Sequence, residues 1–421
     1  MRRVIKFGGT SLAGGDLVRS AAEQIAVLNQ AGEQVVVVVS APGNETSDLI
    51  TAYNKVSSDA GDIQEYYSFI SMGEEKSVHL MVAALKALKV NAVGFVPRRK
   101  ETWPIVADTD DFSPLAEAKI NEERAIEVRS QRTASRFQRF ILPLLRTGTV
   151  PVVAGFFVLS SQDQLVTLGR GGSDITAFIV GQFINADEVI IVTDVQGVLS
   201  ADPRLAKEPF TIKELPVEDL EIIASGGARV LHPRALRYKT ESVRARIVDY
   251  RSLSEIATTG TTILGASKST IFKNDTNLSL ITLVGADLSL KTGVLLSLSQ
   301  RFAKSDIPIS SVVANDKFVC FFVASAHAEH AYQSLHEAVL EDPATFSSVT
   351  IRGDLGEIRL RSSHFIDTPG ILSEITGTLS TQHINIVEVV TSLTDIYVYV
   401  GYKNLDQSYR LLENLIKGYE Q

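Results

Sequence analysis

Cysteine is almost absent from this chain of 421 residues: Cys320 stands alone. A single thiol excludes an intrachain disulfide and a cysteine-built metal cage, and it fits a reducing compartment. Long apolar runs are scarce too. Val35–Val39 is far short of the ~20 residues of a membrane-spanning helix. The N-terminal Met1-Arg2-Arg3-Val4-Ile5 leads straight to Gly8-Gly9, without the apolar stretch and cleavage site of a signal peptide. The expectation is a cytoplasmic protein with no membrane partner. Positive charge is not in surplus: 41 Lys and Arg against 49 Asp and Glu leave a net −8. That argues against a broad nucleic-acid or anionic-membrane face. No H-x-x-x-H or H-E-x-x-H occurs, so a transition-metal site is not expected. His79, His327, His330 and His336 read as surface or capping residues.

What is present is an ordinary globular balance, 45% apolar and 21% charged, long enough for two to four domains. In the first two-thirds, short β-branched runs (Val4–Phe7, Val35–Val39, Val150–Phe157, Val189–Thr193) alternate with helical patterns (Leu17–Leu28, Glu74–Leu88, Ala116–Leu145, Ile175–Ile184). Strands apolar on both faces and separated by helices indicate a mostly parallel sheet covered on both sides. The polar stretch 260–277 marks a boundary. Beyond it the chain repeats at an offset of 77 residues: Ile281 with Ile358, Gly293 with Gly370, Ile307 with Ile384, Val323 with Val400, Leu335 with Leu412. Each copy reads strand, helix, strand, strand, helix, a small α+β unit used twice. Asp108, Asp110 and Asp111 read as a solvated loop, residues 117–129 as an exposed helix, and Cys320 as core.

Three loops carry candidate chemistry. Lys6-Phe7-Gly8-Gly9-Thr10-Ser11 follows the first strand and precedes a helix. Paired glycines let backbone N–H groups approach an anion, and Lys6 offers a mobile cation. On these residues alone a plain strand-to-helix turn is an equal reading. The pattern is not a Walker loop, for no G-x-x-x-x-G-K-[ST] occurs. The second loop, Gly169-Arg170-Gly171-Gly172-Ser173-Asp174, sets an arginine among glycines, suited to forking onto a carboxylate. Ser173 and Asp174 also suit a capped helix entry. The third, Thr193-Asp194-Val195-Gln196-Gly197-Val198-Leu199 running on to Asp202-Pro203-Arg204, follows a buried strand, and strand ends of an open parallel sheet are where ligands sit.

Together with Gly227-Ala228-Arg229-Val230-Leu231-His232-Pro233, these loops resemble the ordered motifs of the aspartate kinase family, and the duplicated tail resembles its tandem ACT domains. The resemblance spans essentially the whole chain. It implies a three-layer αβα amino-acid kinase domain (1–265), with a mostly parallel sheet, and two ferredoxin-like βαββαβ ACT domains (278–345 and 346–421). It looks like a monofunctional enzyme, without a fused homoserine dehydrogenase. The implied reaction moves the γ-phosphate of Mg-ATP to the β-carboxylate of L-aspartate, giving 4-phospho-L-aspartate and ADP, the first step toward lysine, methionine and threonine. Another acyl-phosphate-forming amino-acid kinase is the rival enzyme; a weakly catalytic amino-acid sensor is the rival of another class.

By the same resemblance, Lys6 contacts the transferring phosphate, Gly8 and Gly9 line the phosphate loop, Ser11 helps hold that loop or the phosphate, and Asp174 orients Lys6 or the catalytic groups. Arg170, Ser173, Thr46 and Glu74 take the aspartate, Glu74 receiving its α-ammonium. Thr193, Asp194, Arg204 and Arg229 take the nucleotide. Mg²⁺ is held by ATP oxygens, with no protein cage. The chain departs from the family pattern where Arg229 replaces a lysine, Leu199 an aromatic, and the loop Ser40–Asp48 a different run. His232 reads as a turn residue. In the ACT pair, Asp367, Gly370, Ile371 and Asn385 resemble an effector loop; the first copy has Pro308 where the second has Asn385. Lysine, threonine or S-adenosylmethionine are the effectors to try, and ACT pairing across subunits implies a dimer or larger.

Overall fold

The computed structural model describes residues 1–57, 62–107, 128, 130–228, 230–256, 258–288, 291–366 and 368–418. The acidic cluster at 108–111, nearly all of the charged stretch 117–129, Arg229 and Asp367 lie outside the described residues. The chain forms two compact units, Met1–Ser267 and Lys268–Gln421.

Among the described residues the first unit holds ten strands: β1 (Arg2–Phe7), β2 (Gln34–Val39), β3 (Ala92–Phe95), β4 (Val150–Ala154), β5 (Phe157–Leu159), β6 (Leu165–Thr167), β7 (Glu188–Thr193), β8 (Glu214–Pro216), β9 (Arg244–Asp249) and β10 (Thr261–Leu264). Eight of them make one sheet in the order β3-β4-β2-β1-β7-β9-β10-β8, parallel throughout except between β9 and β10. Successive side chains of a strand point to opposite faces. Unbroken burial along β4 and along residues 35–39 of β2 therefore means that helices cover both faces, the three-layer arrangement. The order reverses at β1, with β2 on one side and β7 on the other. Such a switch opens a crevice at the carboxyl ends of the strands.

Two departures from the sequence reading have local causes. Val150–Phe157 is not one strand: β4 stops at Ala154, and the chain turns through Gly155 and Phe156 into the hairpin β5–β6. Phe156 takes φ +75°, and a Cβ on Gly155 would lie 2.5 Å from Ser173 Oγ, so the turn is wedged against the second glycine loop. The helix expected up to Leu145 is interrupted by a π-type turn, Phe137–Ile141, between Ser130–Arg136 and Leu142–Arg146. Pro143 lacks an N–H and its ring crowds the carbonyl four residues back, which a wider turn relieves.

The second unit is a six-stranded antiparallel sheet of β11 (Thr270–Gly285), β12 (Ser311–Ala314), β13 (Phe318–Ala324), β14 (Phe346–Arg361), β15 (Ile386–Thr391) and β16 (Asp395–Gly401), in the order β12-β13-β11-β14-β16-β15. The 77-residue offset carries helix Val294–Lys304 onto Ile371–Ser380 and helix Ala328–Glu341 onto Leu405–Gly418. Gly293 and Gly370 open the first helix of each copy at φ +88° and +90°, a conformation that favours glycine. β11 and β14 are long enough to serve both copies. Residues 278–285 of β11 pair with the first part of β14 under the first pair of helices, while 270–274 pair with 357–361 under the second. The start of β11, inside the polar stretch read as a boundary, thus supplies the outer strand of the second copy. A separate apolar cluster, Leu278, Phe322, Leu355 and Tyr399, lies between the two copies' own cores.

Candidate active site

The carboxyl ends of β1, β2 and β4 and the start of helix Gly172–Phe183 enclose a cleft of about 280 Å³. Lys6, Gly9, Ser40, Ala41, Gly43, Thr46, Glu74, Phe156, Gly171, Gly172, Ser173 and Asp174 line it. Lys6 leaves the end of β1, and its ammonium lies 2.6 Å from Asp174 Oδ1. Both side chains are nearly buried, so the pair is shielded from the screening that weakens surface ion pairs. Asp174 stands in the first turn of its helix, where the positive end of the helix dipole favours a carboxylate. The helix is entered through Gly171 at φ +74°; a Cβ there would lie 2.3 Å from His232 Cβ. His232 thus backs the second glycine loop and is the N-cap residue of helix Pro233–Leu236.

The first glycine loop is equally tight. Gly8 N–H donates to Val192 O (3.1 Å), and Gly9 begins a single 3-10 turn, Thr10–Leu12. A Cβ on Gly9 would stand 2.6 Å from Ala41 O, so only glycine lets β1 run this close to the loop after β2. Ser11 is buried in that turn, and its hydroxyl has no hydrogen-bond partner among the described residues. An unpaired buried hydroxyl beside a glycine loop and a lysine suits an anionic oxygen.

Glu74 is in the first turn of helix Met72–Ala87, 3% exposed. Ala41 N–H donates to Oε1 at 3.4 Å, and Oε2 has no partner among the described residues. Burial pushes its carboxyl up to about 8, with smaller contributions from the Glu45 and Glu75 charges; backbone hydrogen bonds pull the other way. The neighbouring Glu75 is also buried but accepts a fork from Arg98 at 2.8 and 2.7 Å. Two adjacent buried carboxyls thus differ: one is paired with an arginine, while the other lines the cleft with no ion pair among the described residues.

The remaining expected residues are more scattered. Thr46 and Ser173 line the cleft, whereas Arg170 is solvent-exposed and not among its lining residues. Thr193 ends β7 on the other side of β1 and Asp194 follows it, the Thr193 hydroxyl donating to Asp194 Oδ1 at 3.3 Å. Arg204 is exposed, and Asp202, at 2.6 Å, raises its already high pKa. Leu199 bridges to Thr211. Ser40, Ala41, Gly43 and Phe156 join the cleft without having been singled out as site residues; no residue-type signal marks Phe156, whose place depends on the turn after β4. No group of three or more potential metal ligands occurs among the described residues, and no helix there is long and apolar enough to cross a membrane.

In the second unit, Gly370 and the buried Ile371 begin their helix, and Asn385 is exposed. A cavity of about 360 Å³ lies at the matching helix start of the first copy, lined by Leu288, Lys291, Gly293, Val294, Leu295, Leu296, Ala314, Asn315 and Val319. Lys291 Nζ donates to Thr345 Oγ1 at 2.6 Å.

The sequence profile of the amino acid kinase family matches residues 1–249. Aspartokinase 2 of Bacillus subtilis is 28% identical over 400 residues, 92% of this chain and 91% of that protein. The aspartokinase of Rickettsia felis is 35% identical over 269 residues, 62% of this chain and 61% of that protein. Among solved structures, aspartate kinase from Synechocystis superposes with a TM-score of 0.76 at 24% identity, covering 99% of this chain and 69% of that one. Aspartokinase III of E. coli in complex with aspartate and ADP gives 0.54 at 22% identity, covering 98% and 99%.

Proposed function

Because the chain belongs to the amino acid kinase family, we propose that its first unit transfers the γ-phosphate of Mg-ATP to the side-chain carboxylate of L-aspartate, giving 4-phospho-L-aspartate and ADP. The observation that carries this reading is the joining of the Lys6–Asp174 pair and the buried Glu74 in one cleft at the strand ends. A carboxylate is already an anionic nucleophile, so the work lies in bringing two anions together and neutralising the charge between them. Lys6, fixed by Asp174, is the cation for that task, with the glycine loop and Ser11 beside it. Glu74 receives the α-ammonium and sets the substrate's direction, with Thr46, Ser173 and Arg170 on its carboxylates. Thr193, Asp194, Arg204 and Arg229 hold the nucleotide, and Mg²⁺ travels with its oxygens. Likeness to aspartokinases over most of the chain supports aspartate as the acceptor. ADP release measured with aspartate, glutamate and N-acetylglutamate side by side tests it; turnover with either of the others in preference to aspartate would sink it.

The raised carboxyl of Glu74 gives this reading a pH signature. Near pH 7 the group is a neutral acid, and an arriving ammonium must drive its proton off. Raising the pH toward about 8 removes that cost, so KM for aspartate falls by up to tenfold per pH unit below that value and levels above it. In the free protein the sign is opposite for stability. Between 4.5 and about 8 the folded chain binds the proton that the unfolded chain has lost, so Glu74 makes the fold less stable as pH rises through that window. Glu74→Gln flattens both slopes and raises KM. A flat KM profile in the unsubstituted protein excludes this role for Glu74.

The duplicated unit is the regulatory part of this reading. An amino-acid effector docks at the helix starts, through Gly370, Ile371, Asn385 and Asp367 in the second copy. The cavity beside Gly293 favours the first copy as an equal candidate. The outer strands β12 and β15 carry no further strand among the described residues, which suits pairing between subunits. Repeating the ADP-release assay with lysine, threonine and S-adenosylmethionine tests the regulatory role; unchanged turnover with all three removes it.

A further inference from the structure

At the end of β7, Thr193 lies opposite Asp249, the last residue of β9. Asp249 is buried, 3% exposed, and Arg251 occupies its carboxylate. Oδ1 accepts from the Arg251 backbone N–H and Nε, each at 2.9 Å, and Oδ2 accepts from Nη2 at 2.7 Å. This fork fixes the guanidinium, which lies 5.6 Å from the centre of the Tyr250 ring. Nη2 also donates to the carbonyl of Asp194 at 2.9 Å. The far end of the same loop is pinned separately: Thr261 Oγ1 accepts from Val198 N–H at 2.8 Å and donates to Ile212 O. The loop after β7 is therefore held at both ends, by Thr261 at one and by Arg251 at the other.

We propose that Arg251, oriented by Asp249, is a positioning residue for nucleotide binding, fixing the Asp194 peptide at the mouth of the site. This rests on the reading above that Thr193 and Asp194 hold the nucleotide. The chemistry fits the place. The planar fork of arginine is pre-organised, so once Asp249 has ordered it, a second bond to a carbonyl costs little further entropy. A lysine cannot span both acceptors in one plane. The side chain is 59% exposed, so positive charge is open to solvent beside the loop. Arg251 touches no reacting atom, and its effect falls on nucleotide affinity rather than on the transfer step.

Calorimetric titration of the full chain with Mg-ADP, with KM measured for both substrates, tests this. Arg251→Met weakens Mg-ADP and raises KM for ATP by roughly tenfold, the scale of one hydrogen bond to a charged group. KM for aspartate moves less than twofold, and Arg251→Lys recovers only part of the loss. Asp249→Asn/Arg251→Met, which leaves no unpaired buried carboxylate, serves if the single variant does not fold, and gives the same split. Equal increases in both KM values, or unchanged Mg-ADP affinity, overturn the proposal. Failure of the aspartate reaction itself is read separately: an unsubstituted protein that binds Mg-ADP but does not phosphorylate aspartate refutes the function while leaving the Arg251 comparison intact.

Discussion

Lys6→Met lowers kcat by roughly two to three orders of magnitude, the loss found when one preorganised charge-stabilising donor is removed. The ammonium is held 2.6 Å from Asp174 in a nearly buried setting, so water replaces its charge poorly. The change falls on kcat more than on KM, because the charge that Lys6 offsets is greatest as the phosphoryl group moves between two anions. Lys6→Arg keeps the charge but displaces it, and recovers a minor part of the rate. Single-turnover ADP formation at saturating substrates measures the effect. A thermal midpoint close to that of the unsubstituted chain shows that the fold survives with Asp174 left without its cation. A loss under tenfold would remove Lys6 from the transfer step.

Tyr399→Ala has the largest expected effect on stability. Tyr399 is fully buried, its ring 3.9 Å from that of Phe322 and nearly parallel to it, and its hydroxyl donates to Glu357 Oε2 at 3.0 Å. Burial, chiefly, holds the hydroxyl protonated well beyond its ordinary range. Truncating such a ring costs about 3–5 kcal/mol through lost contact and the cavity left behind. For a unit of this size that corresponds to a fall of roughly 10 °C in its midpoint. Tyr399→Phe keeps the stack and loses only the hydrogen bond, about 1 kcal/mol. Calorimetric melting of the full chain separates the two units if they unfold in separate steps. A Tyr399→Ala shift no larger than that of Tyr399→Phe shows that the stack contributes little.

The repeat was legible because buried positions tolerate few residue types: Ile281 and Ile358, or Val323 and Val400, occupy matching core places and kept their character. The sheet's parallel centre was legible for the same reason, from runs apolar on both faces. Phe156 was not. Its left-handed backbone sits next to Gly155, which lies too close to Ser173 to carry a Cβ, a proximity across the chain that no local pattern records. Glu74 was ambiguous in the sequence, since an acid in the first turn of a helix is usually solvated; what sets it apart is burial beneath Ala41. Arg251 gave no signal at all, because its meaning lies in a carbonyl 57 positions away.

The sharing of β11 and β14 makes the tail topologically inseparable. A cut anywhere between Glu341 and Phe346 leaves the first copy without the outer strand that carries Phe346 and Val349, and strips the second of the strand bearing Ile271. Neither half is a portable module that could be grafted elsewhere. Whatever deforms one copy also tugs the backbone of the other, for two continuous ribbons run through both.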